Sequence, residues 1–111
     1  MEKTRIQKIG RLIEREMGDL LRDATPFIGS GMITVTKVNV TPDLQIARVN
    51  VSIFGVPDKK AALEQLKTHT KELRFALGLR IRHQVRIIPE LQFYLDDSLD
   101  YIENIDRLLK Q

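Results

Sequence analysis

The chain has 111 residues, with 18 Lys and Arg against 15 Asp and Glu, and no cysteine. That length suits a single domain spanning 1–111, able to bury roughly two thirds of its unfolded surface around one core. The lack of cysteine excludes disulfides and thiolate metal sites, no apolar run approaches the ~20 residues of a membrane span, and the charged N-terminus carries no signal-peptide core, so a cytoplasmic protein is expected.

Ile6, Ile9, Ile13, Met17 and Leu20 recur at helical spacing and mark a first helix, with Gly18 a mild cost inside it. The helix should end before Thr25-Pro26, because a residue preceding proline avoids the helical region. Gly29-Ser30-Gly31 reads as a flexible connector. Two strands follow. In Met32 to Val40 the apolar positions Ile33 and Val35 slip to Val38 and Val40, so one extra residue near Thr36-Lys37 predicts a bulge. Thr41-Pro42-Asp43 is a turn. From Gln45 to Phe54, Ala47, Val49, Val51 and Ile53 alternate with Arg48, Asn50 and Ser52, giving one buried and one wet face.

Gly55-Val56-Pro57 breaks that strand and Asp58 can cap the next helix. Leu63, Leu66, Thr70, Leu73 and Leu77 form its inner stripe, and Ala76-Leu77-Gly78 is expected to interrupt it. Residues 79–88 fit either a strand, through Leu79, Ile81, Val85 and Ile87, or a short helix, through Leu77, Ile81 and Val85; Pro89 ends both. Leu91 to Leu95 reads as a third strand, and Asp96-Asp97-Ser98 starts a last helix with Leu99, Ile102, Ile105 and Leu108 inward. The order α-β-β-α-α-β-α makes an α+β domain with helices on one face of a three-stranded sheet.

The charge is unevenly placed. Residues 59–89 hold eight Lys or Arg against two acids, and residues 90–111 hold six acids against two bases. A basic segment followed by an acidic tail points to a polyanion-facing surface.

The run from Pro89-Glu90-Leu91 through Tyr94-Leu95-Asp96-Asp97-Ser98-Leu99 to Tyr101, followed by Ile105-Asp106-Arg107-Leu108-Leu109, is the most distinctive text. With Thr41-Pro42-Asp43-Leu44, Ala47-Arg48-Val49 and Arg5-Ile6 through Leu21, it resembles the ribosome-binding factor A family over essentially the whole chain. The resemblance implies a type II KH-like fold with a mixed three-stranded sheet. It implies a factor that binds the small (30S) ribosomal subunit and its rRNA, assists late maturation and 5′-end rRNA processing, and supports growth in the cold. KH modules clamp nucleotides with a GxxG loop between two helices. Here Ala76-Leu77-Gly78-Leu79 carries one glycine, matching an Ala-x-Gly kink that replaces the loop in this family, so the KH single-strand clamp is not carried over.

The candidate site is basic. On a wheel of about 100° per residue, Lys60, Lys67, Lys71 and Arg74 gather about 100° from the leucine stripe, as a lateral ridge leading to Gly78 and then to Arg80, Arg82, His83 and Arg86. Repeated positive charge along one line suits a phosphate backbone, since each neutralised phosphate releases counterions. Lys8, Arg11 and Arg15, with Arg22, form a secondary stripe on the first helix, where Glu14 and Asp19 could pair with Arg11 and Arg15. Asp96, Asp97, Asp100 and Glu103 suit a helix start better than a metal site, and no metal or cofactor is expected. His69 is read as a surface residue. The phenylalanines, Phe75 included, are placed in or beside the core, which argues for recognition of RNA shape and backbone rather than of splayed bases. No Ser-His-Asp order, phosphate-binding glycine loop or HExxH motif is present, so a non-catalytic monomer is expected, with other assembly factors as possible partners. The alternative is a protein–protein adaptor using the sheet face around Arg48, Asn50 and Ser52; a small nuclease using Asp96 and Asp97 is the remote third.

Overall fold

A computed structural model describes residues 2–96, with side chains from Arg5 onward. The first helix, α1, runs from Glu2 to Leu20. Its inward stripe is Ile9, Ile13, Met17 and Leu21, one residue every four, so Leu21 takes the buried place expected of Leu20. A short helix that the sequence did not announce, α2, spans Thr25–Ile28. Pro26 is tolerated there because a first-turn residue has no intrahelical N–H bond to lose, and Asp23 accepts from Thr25 N at 3.1 Å.

The segment 29–31 is structured. Gly31 has φ +80°, and a Cβ on it would collide with the Phe54 carbonyl oxygen and the Val56 side chain. The glycine is there because the chain must pass against the end of a neighbouring strand.

Strands β1 (Met32–Val40) and β2 (Ile46–Phe54) pair antiparallel, and the register slips between Val35 and Lys37, which places the bulge at Thr36. The slip keeps Ile33, Val35, Val38 and Val40 on one face. Between the strands, Leu44 N donates to Thr41 O at 2.8 Å, and Leu44 itself sits at φ 61°. In β2, Ala47, Val49, Val51 and Ile53 are buried as the alternation requires. Ser52 departs from it: the residue is 3% exposed and its hydroxyl donates to Asp96 O at 3.2 Å. The wet face therefore shrinks to Arg48 and the half-buried Asn50.

Asp58 caps helix α3 (Lys59–Lys67), accepting from Lys60 N and Ala61 N, both at 3.1 Å. The expected interruption at Ala76-Leu77-Gly78 is overturned. The break falls at Thr68-His69, and α4 (Thr70–Ile81) runs unbroken through Gly78. No glycine makes the break. Thr68 Oγ1 donates to Gln65 O and Thr70 Oγ1 to Lys67 O, both at 2.6 Å, so side-chain hydroxyls take carbonyls of the last turn of α3 and compete with its continuation.

Residues 79–88 form neither a strand nor a separate helix. Leu79 to Ile81 finish α4, after which Gln84 N and Val85 N both return to Ile81 O at 2.8 and 3.1 Å. The loop that follows is anchored by buried Val85 and Pro89. Strand β3 (Glu90–Leu95) then pairs parallel with β2, from Ile46 opposite Glu90 to Val51 opposite Leu95. The sheet order is β1-β2-β3. The buried residues of α1, α3 and α4 join the inner residues of the strands in one hydrophobic cluster. Apart from the added α2, this is the expected KH-like α-β-β-α-α-β arrangement. The helix expected from Asp96 onward lies outside the described residues.

Candidate nucleic-acid interface

Helix α4 buries Leu73, Leu77 and Ile81 at four-residue spacing. Its lateral side then carries Lys71, Arg74, Gly78 and Arg82, within about 80° of each other on the wheel. Lys67, in the last turn of α3, reaches the same side across the break. Two shallow grooves share these residues. One, of about 800 Å³, is lined by Lys67, Thr68, Thr70, Lys71, Arg74 and Glu90. The other, of about 500 Å³, adjoins it through Lys71 and Arg74 and continues past Gly78 to Arg82, with Phe75, Leu79 and Ile88 as its apolar part. A third lies between Lys67 and Thr70 and the length of β3, so the cationic ridge runs from the sheet edge along α4.

These side chains are not equally available. Arg74 Nε donates to Pro89 O at 3.1 Å and its terminal nitrogen to Ile88 O at 2.7 Å. It is a charged rim residue and also the clasp that holds the loop after α4. Lys67 pairs with Glu64 at 3.2 Å, an exposed contact that costs little to exchange for a phosphate. Lys71 and Arg82 are exposed and make no hydrogen bond or ion pair with the described residues.

Arg80 is placed elsewhere. Its guanidinium meets Asp19 at 2.5 Å and Glu16 at 3.2 Å, both on α1. The hydrogen bond from Arg80, aided by the charges of Arg22 and Arg80, holds the Asp19 carboxyl below the usual carboxylate range, and the same contacts raise Arg80. Arg80 thus ties α4 to α1, on the opposite flank from Arg82. The sequence held the signal: residues two apart on a helix sit about 200° apart and cannot share a face. Lys60 lies in the first turn of α3, and His83 and Arg86 in the loop after α4; all three are exposed and line neither groove.

On α1, Lys8, Arg11 and Arg15 are exposed. Arg15 meets Glu16 at 3.4 Å, and Asp19 pairs with Arg22 at 2.9 Å, so the expected pairing of Asp19 with Arg15 is replaced. His69 is not a plain surface residue. Its ring packs edge-on against Phe27 with centroids 5.3 Å apart, and its Nδ1 lies 2.9 Å from a Glu72 carboxylate oxygen.

The feature that sequence reasoning missed is Phe75. Expected in or beside the core, it is 70% exposed. Its wheel position, about 160° from Leu77, would have shown this. Asp96 is committed to Thr36, whose hydroxyl donates to its carboxylate at 2.7 Å. Among the described residues, no three His, Asp or Glu side chains gather as metal ligands would.

Comparison with known proteins agrees with this architecture. The model of the ribosome-binding factor A family matches residues 5–109. Ribosome-binding factor A from Cytophaga hutchinsonii is 48% identical over 112 residues, covering 100% of this chain and 84% of its own length. The Flavobacterium johnsoniae protein of that name is 42% identical over 111 residues, covering 98% and 85%. Among solved structures, the crystal structure of ribosome-binding factor A from Thermus thermophilus shares the fold with a TM-score of 0.59 at 23% identity, over 86% of this chain and 96% of that one. A homology model of a Thermus thermophilus ribosome-binding factor A, fitted into the cryo-EM map of a 30S complex, aligns with a TM-score of 0.57 at 24% identity, over 78% and 93%.

Proposed function

The chain belongs to the ribosome-binding factor A family, and we propose that it binds the 30S subunit through ribosomal RNA held against the Lys67–Lys71–Arg74–Arg82 ridge. The continuity of that ridge from the end of α3 to the end of α4 is the observation that carries the reading. The Thermus relative fitted into a 30S complex supports the choice of particle. The factor acts as a cytoplasmic monomer of one KH-like domain, holding or displacing an RNA segment late in maturation and aiding 5′-end processing without covalent chemistry, alongside other assembly factors. Lys60, His83 and Arg86 extend the surface, and Lys8, Arg11 and Arg15 contribute a weaker long-range field.

Reversal of charge tests the assignment. Lys67→Glu/Lys71→Glu should abolish cosedimentation with 30S subunits while circular dichroism stays native, because both side chains are exposed. Arg74 is left intact, since its loss would also unclasp the loop at Ile88-Pro89. Lys8→Glu/Arg15→Glu should weaken binding less. Wild-type affinity should fall with salt by a log–log slope of several units, at roughly 0.7–0.9 per neutralised phosphate. A flat titration would point to the protein–protein adaptor; the opposite order of the two variants would move the RNA face to α1.

A further inference from the structure

A contact made to phosphates alone has no use for exposed apolar surface, yet the groove ending at Arg82 has it. Phe75 is 70% exposed and Leu79 56%, one turn apart on α4, and both line it. Single exposed apolar residues are ordinary; an aromatic and an aliphatic side by side in one groove mark a contact surface. Gly78, beside them, adds no side chain, which leaves the groove open at about 500 Å³. No carboxylate lines it; its charged residues are Lys71, Arg74 and Arg82.

We infer that this groove receives an unpaired nucleobase of the bound RNA, stacked on Phe75, with the flanking phosphates on Lys71 and Arg82. The inference deepens the RNA-binding reading and rests on it. An aromatic ring offers every base a face to stack on, and cations to either side take the backbone. Lys71 and Arg82 are ~16 Å apart along the helix axis, at 1.5 Å per residue. That span exceeds one phosphate-to-phosphate step, so the phosphates held by Lys71 and Arg82 belong to nucleotides on either side of the stacked one. Arg74 is held by the Ile88 and Pro89 carbonyls, so it fixes one wall of the groove and lends its charge from there. The recognition is therefore of a junction: structured RNA along the ridge, and one splayed base at its end.

The full chain is titrated against two RNAs, a blunt hairpin closed by a non-nucleotide linker and the same hairpin carrying a short unpaired tail with a fluorescent purine analogue. The wild type should bind the tailed hairpin more tightly and quench the analogue. Phe75→Leu should weaken the tailed complex by roughly 5- to 150-fold, the worth of one base–aromatic stack, and leave the blunt complex unchanged; Phe75→Trp should restore both affinity and quenching. Exposure of Phe75 means the variants fold, which circular dichroism checks. Equal affinity of Phe75→Leu and wild type for the tailed hairpin would overturn the inference, and so would an equal loss on both RNAs. Competition by an acidic amphipathic peptide, with tail affinity indifferent to residue 75, would give the groove to a protein partner instead. Failure of the wild type to bind either hairpin would remove the RNA reading beneath it.

Discussion

Gly78→Ala should make the domain more stable by about 0.5–1 kcal/mol, the usual difference between glycine and alanine inside a helix. Two observations set that sign. Gly78 lies inside α4 and is not among the positive-φ glycines, so an L residue meets no backbone strain there. A Cβ added to it would lie 3.5 Å from Ile88 Cγ1 and 4.0 Å from Cδ1, ordinary van der Waals contact. Nothing has to move, and the methyl gains a little burial against Ile88. For a chain of this size the gain corresponds to roughly 2–4 °C in midpoint, readable by thermal unfolding and by urea titration at equal m. Gly78→Val and Gly78→Asn, whose helix propensities are similar, should fall close to each other. A turn with left-handed angles would behave differently: alanine would destabilise, and asparagine would be tolerated far better than valine. That pattern would refute the continuous helix and return the break to Ala76-Leu77-Gly78.

Arg80→Gln should lower the unfolding midpoint at neutral pH and leave 30S binding intact, because Arg80 faces α1 and lines neither groove. The sign with pH follows from Asp19: its pKa is depressed in the folded state, so its contribution is present above the usual carboxylate range and lost as pH falls through the folded value. Wild-type stability should therefore fall more steeply than that of Arg80→Gln across that acid window; parallel pH profiles would mean the tie is not formed. Gly31→Ala should destabilise by about 1–3 kcal/mol in urea, the range for a strained left-handed residue, here combined with a clash against the Phe54 carbonyl oxygen; a neutral outcome would mean the strand end can yield.

What could be read in the sequence came from periodicity, from residue type at a given place and from the family resemblance. The bulge at Thr36 followed from a slip in alternation, the cap at Asp58 from residue type and place, and the parallel third strand from the resemblance. What was not legible depended on contacts made across the fold. Thr68 and Thr70 look like ordinary polar helix residues until their hydroxyls are seen on Gln65 O and Lys67 O. Gly29-Ser30-Gly31 reads as a linker until Gly31 is found against Phe54. Ser52 alternates correctly and is buried all the same, because Asp96 reaches back over it. Arg80 and Phe75 are a different kind of miss. A helical wheel drawn about Leu77 puts Arg80 on the α1 flank and Phe75 outside; counting basic residues along the chain could not separate them.

The position of the break decides how the interface is assembled. An uninterrupted helix over 59–81 would carry Lys60, Lys67, Lys71 and Arg74 on one straight line, parallel to its leucine stripe. The break at Thr68-His69 instead sets Lys67 at the start of a corner, beside Thr70 and the β3 edge, and sets Lys71 and Arg74 beyond it. The corner has no positive-φ residue: Thr68 has φ −66° and His69 φ −99°. It is held by two hydroxyl-to-carbonyl bonds and by the packing of His69 against Phe27 of α2. A corner of that kind lacks the backbone freedom that glycine would supply. The small helix α2, which lines none of the three grooves, thus braces the start of α4 through Phe27, and with it the placing of Lys71, Phe75 and Arg82 on the proposed RNA surface.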